Sequence, residues 1–204
     1  PETVDNDTIT VAPGMYTERI VINKALTILG PTATVNKNGY TIPANYAWDT
    51  AVEAVINYPD PTGLIADTVL VDIKSDNVVF KGFVVQILNA RVGSDHLLRL
   101  NAGGLSGPGT LDNITVQNNI LGPVTNIDHQ DGTYGRMGLY FSSPTYPAQR
   151  QGITNTLVSG NTIFDTRGNG DNVFIWGAAA SYASLQNADY SGTIIEDNDI
   201  FGSH

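Results

Sequence analysis

Hydrophobic residues along this chain come in short alternating runs, not at helical spacing. Between Asp7 and Gly30, Ile9 and Val11, then Ile20 and Ile22, then Leu26 and Ile28 fall on one face of three successive strands, at 8–11, 19–22 and 26–29. Pro13-Gly14 and Gly30-Pro31 mark corners. Three such strands make one coil, and their shared apolar face lines a tube. Runs at 54–56, 69–73 and 78–85 form the next set. Paired runs follow at 97–100 with 114–121, at 138–141 with 156–164, and at 173–176 with 193–201.

Three of these runs repeat one phrase: Val116-Gln117-Asn118-Asn119-Ile120-Leu121, Val158-Ser159-Gly160-Asn161-Thr162-Ile163 and Ile195-Glu196-Asp197-Asn198-Asp199-Ile200. An Asn recurring at one register predicts a shared corner, where a left-handed residue is needed and each amide hydrogen-bonds to its stacked equivalent. A bare coil needs on the order of 22–25 residues, and the intervals between the repeats are longer. Each interval therefore holds one coil plus a loop. The excess falls at 31–53, 86–96, 101–111, 122–137, 142–155, 165–171 and 178–191, where Gly, Pro and Asp cluster. The count is about five coils. Stacked branched side chains, each worth roughly 1.5–3 kcal/mol when buried, hold such coils together. Neither end of the chain carries a polar cap, so residues 1–204 read as one domain, an excerpt of a longer solenoid.

Composition agrees with an all-β chain: charged residues are only 15%, and Thr, Asn, Ser and Gly fill the polar positions. Ten basic residues against twenty acidic ones give a net charge of −10, which opposes binding to a nucleic-acid backbone. No Cys is present, so no disulfide framework or thiolate metal site forms. No apolar run approaches membrane-spanning length, and Pro1 to Asn6 lack the features of an export signal.

The stretch Asp7 to Glu18, with Ile20-Val21-Ile22 and Leu26-Thr27-Ile28-Leu29-Gly30, resembles the opening coil of right-handed parallel β-helix proteins of the pectin-lyase-like superfamily. The likeness is to the carbohydrate-binding and sugar-hydrolase type of repeat domain, and the Asn repeats at 119, 161 and 198 extend it along the chain. This resemblance implies a right-handed solenoid in an extracellular or cell-surface protein. Gly14-Met15-Tyr16-Thr17-Glu18 is similar to a segment of pectin methylesterases that also occurs in non-catalytic relatives. The catalytic contexts of those esterases, of polygalacturonases and of pectate lyases have no match here.

The densest polar cluster runs from Asn126 to Arg136. There His129 could accept a proton, Arg136 could pair with a uronate carboxylate, and Asp128 or Asp131 could orient the imidazole. Asp128 and Asp131 could instead hold Ca²⁺, although the fold requires no cofactor. Asp, Asn and Gly also accumulate in ordinary turns. Loops of successive coils can pool residues, so Arg91, Asp95 and His96, and Asp165, Arg167 and Asp171, are expected to line up with this cluster along a groove. Aromatic rings cover the apolar faces of sugars, and Tyr134, Tyr140, Tyr146, Trp176 and Tyr182 are the candidates. Trp48 is expected to pin the 31–53 excursion to the wall of the tube. The sequence thus points to a module with a structural, adhesive or carbohydrate-binding role and no catalysis of its own, whose partner is a polysaccharide or cell-surface glycan. The alternative is a polysaccharide lyase or hydrolase acting on an acidic glycan. A phage-tail or surface-layer component, distinguished by its oligomeric state, shares the same repeat.

Overall fold

The computed structural model describes residues 3–57, 69–90, 96–102, 110–126, 137–142, 152–164, 171–176 and 189–202. Strands dominate them, and the one helical element is a turn of 3-10 helix at Ala44–Tyr46. None of their helices is long and apolar enough to cross a membrane.

The chain opens with β1 (Asp7–Thr10), β2 (Gly14–Tyr16), β3 (Ile20–Ile22) and β4 (Leu26–Leu29). Next come β5 (Ala54–Asn57), β6 (Val69–Ile73), β7 (Val79–Lys81), β8 (Phe83–Ala90) and β9 (His96–Asn101). Then follow β10 (Thr110–Asp112), β11 (Thr115–Gln117), β12 (Ile120–Asn126), β13 (Met137–Ser142) and β14 (Gly152–Thr154). The last are β15 (Leu157–Ser159), β16 (Thr162–Phe164), β17 (Asp171–Trp176), β18 (Ile194–Glu196) and β19 (Asp199–Phe201).

These strands deal themselves into three large parallel sheets. The first has the order β1-β4-β7-β11-β15-β18, the second β2-β5-β8-β12-β16-β19, and the third β3-β6-β9-β13-β17. A small fourth sheet pairs β10 with β14. Each passage of the chain visits the first, second and third sheets in turn and returns one strand further along.

This arrangement corrects the phase of the sequence reading. Residues 26–29 do not complete the first set of strands but begin the second, because Leu26 pairs with Asp7 and Ile28 with Ile9. The overlooked element is β2, whose three residues are too few to show an alternation. The single run expected at 78–85 is likewise two strands, broken at Gly82 with φ +80°.

Register stacks like on like. In the first sheet Ile9, Ile28, Phe80, Val116, Val158 and Ile195 form one inward column. In the second sheet the column is Tyr16, Ile56, Val85, Leu121, Ile163 and Ile200. Most members between the outer strands are fully buried in one core. No passage has enough apolar surface to cover itself, so stability comes from contact between neighbours.

The corner between the first and second sheets carries the repeated Asn. Asn119, Asn161 and Asn198 stack as the sequence predicts, with the Asn119 amide nitrogen donating to Asn161 Oδ1 at 3.2 Å and that of Asn161 to Asn198 Oδ1 at 2.8 Å. The left-handed residue is not the ladder Asn itself. It sits one position earlier, at Gly82, Asn118 (φ 58°), Gly160 and Asp197 (φ 52°), residue types that tolerate this conformation.

Residues 31–53 form a strap down this same corner. The Thr32 hydroxyl oxygen lies 3.3 Å from the Gly82 carbonyl oxygen, and the Asn118 amide donates to Ala33 O at 2.7 Å. Further along, Lys37 N–H donates to Gly160 O at 2.8 Å, and the Asn36 and Asn38 amides both donate to the Asp197 carboxylate at 2.8 Å. The strap therefore crosses four consecutive passages. Its return limb lays Tyr40, Ile42, Tyr46 and Trp48 over Val55, Val84, Ile120 and Phe164 on the outer face of the second sheet. Trp48 pins this limb, as the sequence suggests: it is 8% exposed and its indole N–H donates to Gln86 Oε1 at 2.7 Å.

Candidate functional site

The outer face of the third sheet carries a cluster of three charged side chains, Asp72, Lys74 and Arg99. In β6 the side chains alternate so that Val71 and Ile73 enter the core and Asp72 faces outward. In β9, Leu98 and Leu100 enter the core and Arg99 faces outward, directly opposite Asp72 in the register. Arg99 grips the carboxylate with two parallel hydrogen bonds, from Nε at 2.9 Å and from Nη2 at 2.7 Å. Lys74 adds its ammonium to the same Oδ2 at 3.1 Å.

Two cations thus share one acid, which leaves a local positive surplus on a chain of net charge −10. The Asp72 side chain is only 4% exposed, whereas Arg99 keeps 23% and Lys74 15% of their surfaces open. Burial by itself would raise the Asp72 carboxyl. Hydrogen bonds and charge from Arg99 and Lys74 outweigh that burial and hold it below the usual carboxylate range.

Next to Arg99 in register stands Tyr140 of β13. Its ring lies 4.9 Å from the His96 imidazole, and the side chain is 7% exposed, so the ring is packed against protein. Trp176 closes β17 opposite Ser142, two positions beyond the partner of Tyr140. Of the aromatic positions singled out in the sequence, Tyr140 and Trp176 thus occur in adjacent strands of this one sheet.

The remaining expected site residues, Arg91, Asp128, His129, Asp131, Tyr134, Arg136 and Arg167, lie outside the described residues, as do Asp95, Tyr146, Asp165 and Tyr182. Segments 91–95, 127–136 and 165–170 lead into β9, β13 and β17, and the first residues of those strands, His96, Met137 and Asp171, pair in register. Among the described residues, no group of three or more His, Asp or Glu is placed to hold a metal.

Asp72, Lys74 and Arg99 escaped the sequence reading. Their signal was a lone charge within an apolar strand, negative in Val69-Leu70-Val71-Asp72-Ile73 and positive in Leu97-Leu98-Arg99-Leu100. Opposite charges at outward positions of neighbouring strands pair once the register is known.

Compared with protein families, curated proteins and solved structures, the chain matches none.

Proposed function

We propose that this chain is a right-handed parallel β-helix of the pectin-lyase-like kind, acting in a secreted or cell-surface protein as a structural, adhesive or carbohydrate-binding module. Three parallel sheets visited in fixed order, with an Asn ladder at one corner, support the winding. Parallel crossovers are right-handed in nearly all known cases, which supports the hand. An experimental structure with left-handed crossovers would refute it.

The observation that carries the binding role is the register column His96, Met137 and Asp171. In the sequence Arg91, Arg136 and Arg167 precede these three residues, and Arg99 and Lys74 stand on the outer face of the same sheet, which supports a reading in which all five cations serve one ligand. Cations repeated along one wall suit a polymer with a carboxylate on each residue. The ligand class is an acidic polysaccharide, held by Arg and Lys against uronate groups.

Calorimetric titration with uronate-rich and with neutral polysaccharides of equal length tests this reading. Preferential binding of the acidic chain, weakened by added salt and by Arg99→Gln, is the expected result. Equal affinity for both polymers, or none for either, refutes it. Release of new sugar ends from the bound polymer would favour the lyase or hydrolase reading, with His129 and Arg136 as the first residues to replace.

A further inference from the structure

Of the asparagines in the described residues, Asn38 alone is followed by Gly. The pair sits where the outgoing limb of the strap turns into its return limb. Tyr40 N–H donates to Lys37 O at 2.9 Å and closes the turn, with Gly39 at φ +69°. Because Gly39 has no side chain, its peptide nitrogen can approach the Asn38 carboxamide, an approach that the bulkier residues following the ladder asparagines hinder.

The same carboxamide belongs to the strap's grip on the stack. Its Nδ2 donates to Asp197 Oδ1, and Asn36 Nδ2 donates to Asp197 Oδ2, each at 2.8 Å. Asn36 Oδ1 in turn accepts from the Asn38 N–H at 2.8 Å. Hydrogen bonds from Asn36 and Asn38 hold the Asp197 carboxyl below the usual carboxylate range, so it is charged at neutral pH. One side chain therefore has two properties at once: it is the neutral donor to a carboxylate, and it neighbours a nitrogen able to displace its ammonia.

We infer that Asn38 is a site of spontaneous deamidation, and that the reaction irreversibly loosens the strap from the passage carrying Asp197. The Gly39 nitrogen attacks Asn38 Cγ and forms the new C–N bond of a succinimide ring. The Cγ–Nδ2 bond breaks, and Nδ2 leaves as ammonia with the proton given up by the Gly39 nitrogen. Water then opens the ring at either carbonyl and leaves aspartate or isoaspartate at position 38.

Asp197 controls the step. While its carboxylate holds Nδ2, the carboxamide is kept from turning toward the Gly39 nitrogen, and its negative charge opposes the anion that develops during the attack. Deamidation thus proceeds when the strap lifts. Afterwards two carboxylates stand where a donor met an acceptor, and their repulsion opposes return of the contact. The modification is a permanent record of strap opening.

The test is incubation of the full chain at neutral pH, followed by peptide mass mapping and by methylation with an isoaspartyl methyltransferase. Asn38 is expected to convert to the acid while Asn119 and Asn161 do not. Asp197→Ala should convert several-fold faster than the parent. Asn38→Asp, which mimics the product, should show several-fold faster hydrogen exchange at the Lys37 amide, whose acceptor is Gly160 O. No conversion at Asn38, a rate unchanged or lowered in Asp197→Ala, or unchanged exchange in Asn38→Asp would each overturn the inference.

Discussion

Lys37 places its ammonium 2.7 Å from Glu53 Oε1 although the two side chains are only 1% and 4% exposed. The pair joins the two limbs of the strap. The Tyr40 ring lies 4.2 Å from the ammonium, and the Thr32 hydroxyl donates to the other carboxylate oxygen at 2.9 Å. A buried ion pair is costly to break from one side, because the surviving charge is left without water or partner.

Lys37→Met is therefore expected to destabilise the fold by about 3–5 kcal/mol, a loss readable in denaturant unfolding. Adding Glu53→Gln should recover part of it, since the amide keeps an acceptor for Thr32 and carries no charge. A double mutant no more stable than Lys37→Met would contradict this account.

Asn161 takes part in more of the ladder than Asn198 does. Its two Nδ2 hydrogens are shared among Val116 O, Ser159 O and Asn198 Oδ1, and its Oδ1 accepts from both nitrogens of Asn119. Asn161→Ala leaves several of these groups buried and unpaired and is expected to cost about 2–4 kcal/mol. Asn198→Ala, at a half-exposed position, should cost less than half as much. Comparison of unfolding midpoints at unchanged m-value checks the order.

Gly82 and Gly39 both have positive φ, at +80° and +69°, but their surroundings differ. A Cβ on Gly82 would run into the backbone of Thr32 and Ala33 in the strap, whereas one on Gly39 would meet nothing within 4 Å. Gly39→Ala is expected to cost about 1–2 kcal/mol from backbone conformation alone. Gly82→Ala should cost more and should also speed exchange at the Lys37 amide, which is bonded to Gly160. Equal costs would show that the strap yields easily.

Acid should release the cluster on the third sheet. The folded Asp72 carboxyl lies below its unfolded value, so its stabilising contribution is complete above the ordinary carboxylate range and disappears as pH falls through the lower, folded value. Stability measured from pH 6 downward is expected to fall less steeply in Asp72→Asn than in the parent, even though that variant starts lower. Parallel pH profiles would exclude the Asp72 contribution.

The strands and the Asn ladder were legible because both are periodic: one apolar residue in two, and one amide per passage. The strap was not. Its partners lie far along the chain, as with Asn36 and Asp197, and its polar residues are the same Asn, Thr and Gly that any turn contains. The phase of the first passage was missed because Gly14, Met15 and Tyr16 form a strand too short to alternate visibly. At the candidate site, the strands that carry Tyr140 and Trp176 were legible as apolar runs. Asp72 and Arg99 needed the register, which no single strand contains.

A stack whose passages touch only their neighbours would unzip from either end, one layer at a time. The contact between Asn36 and Asp197 ties positions 161 residues apart, and so couples an early layer to the last strands of the stack. Such a non-local closure slows folding, because the loop it seals must be ordered before the contact is made. In exchange the strap links the fraying of β18 and β19 to its own bonds with earlier passages at Asn118 and Gly160, so that losing those strands also loosens the strap.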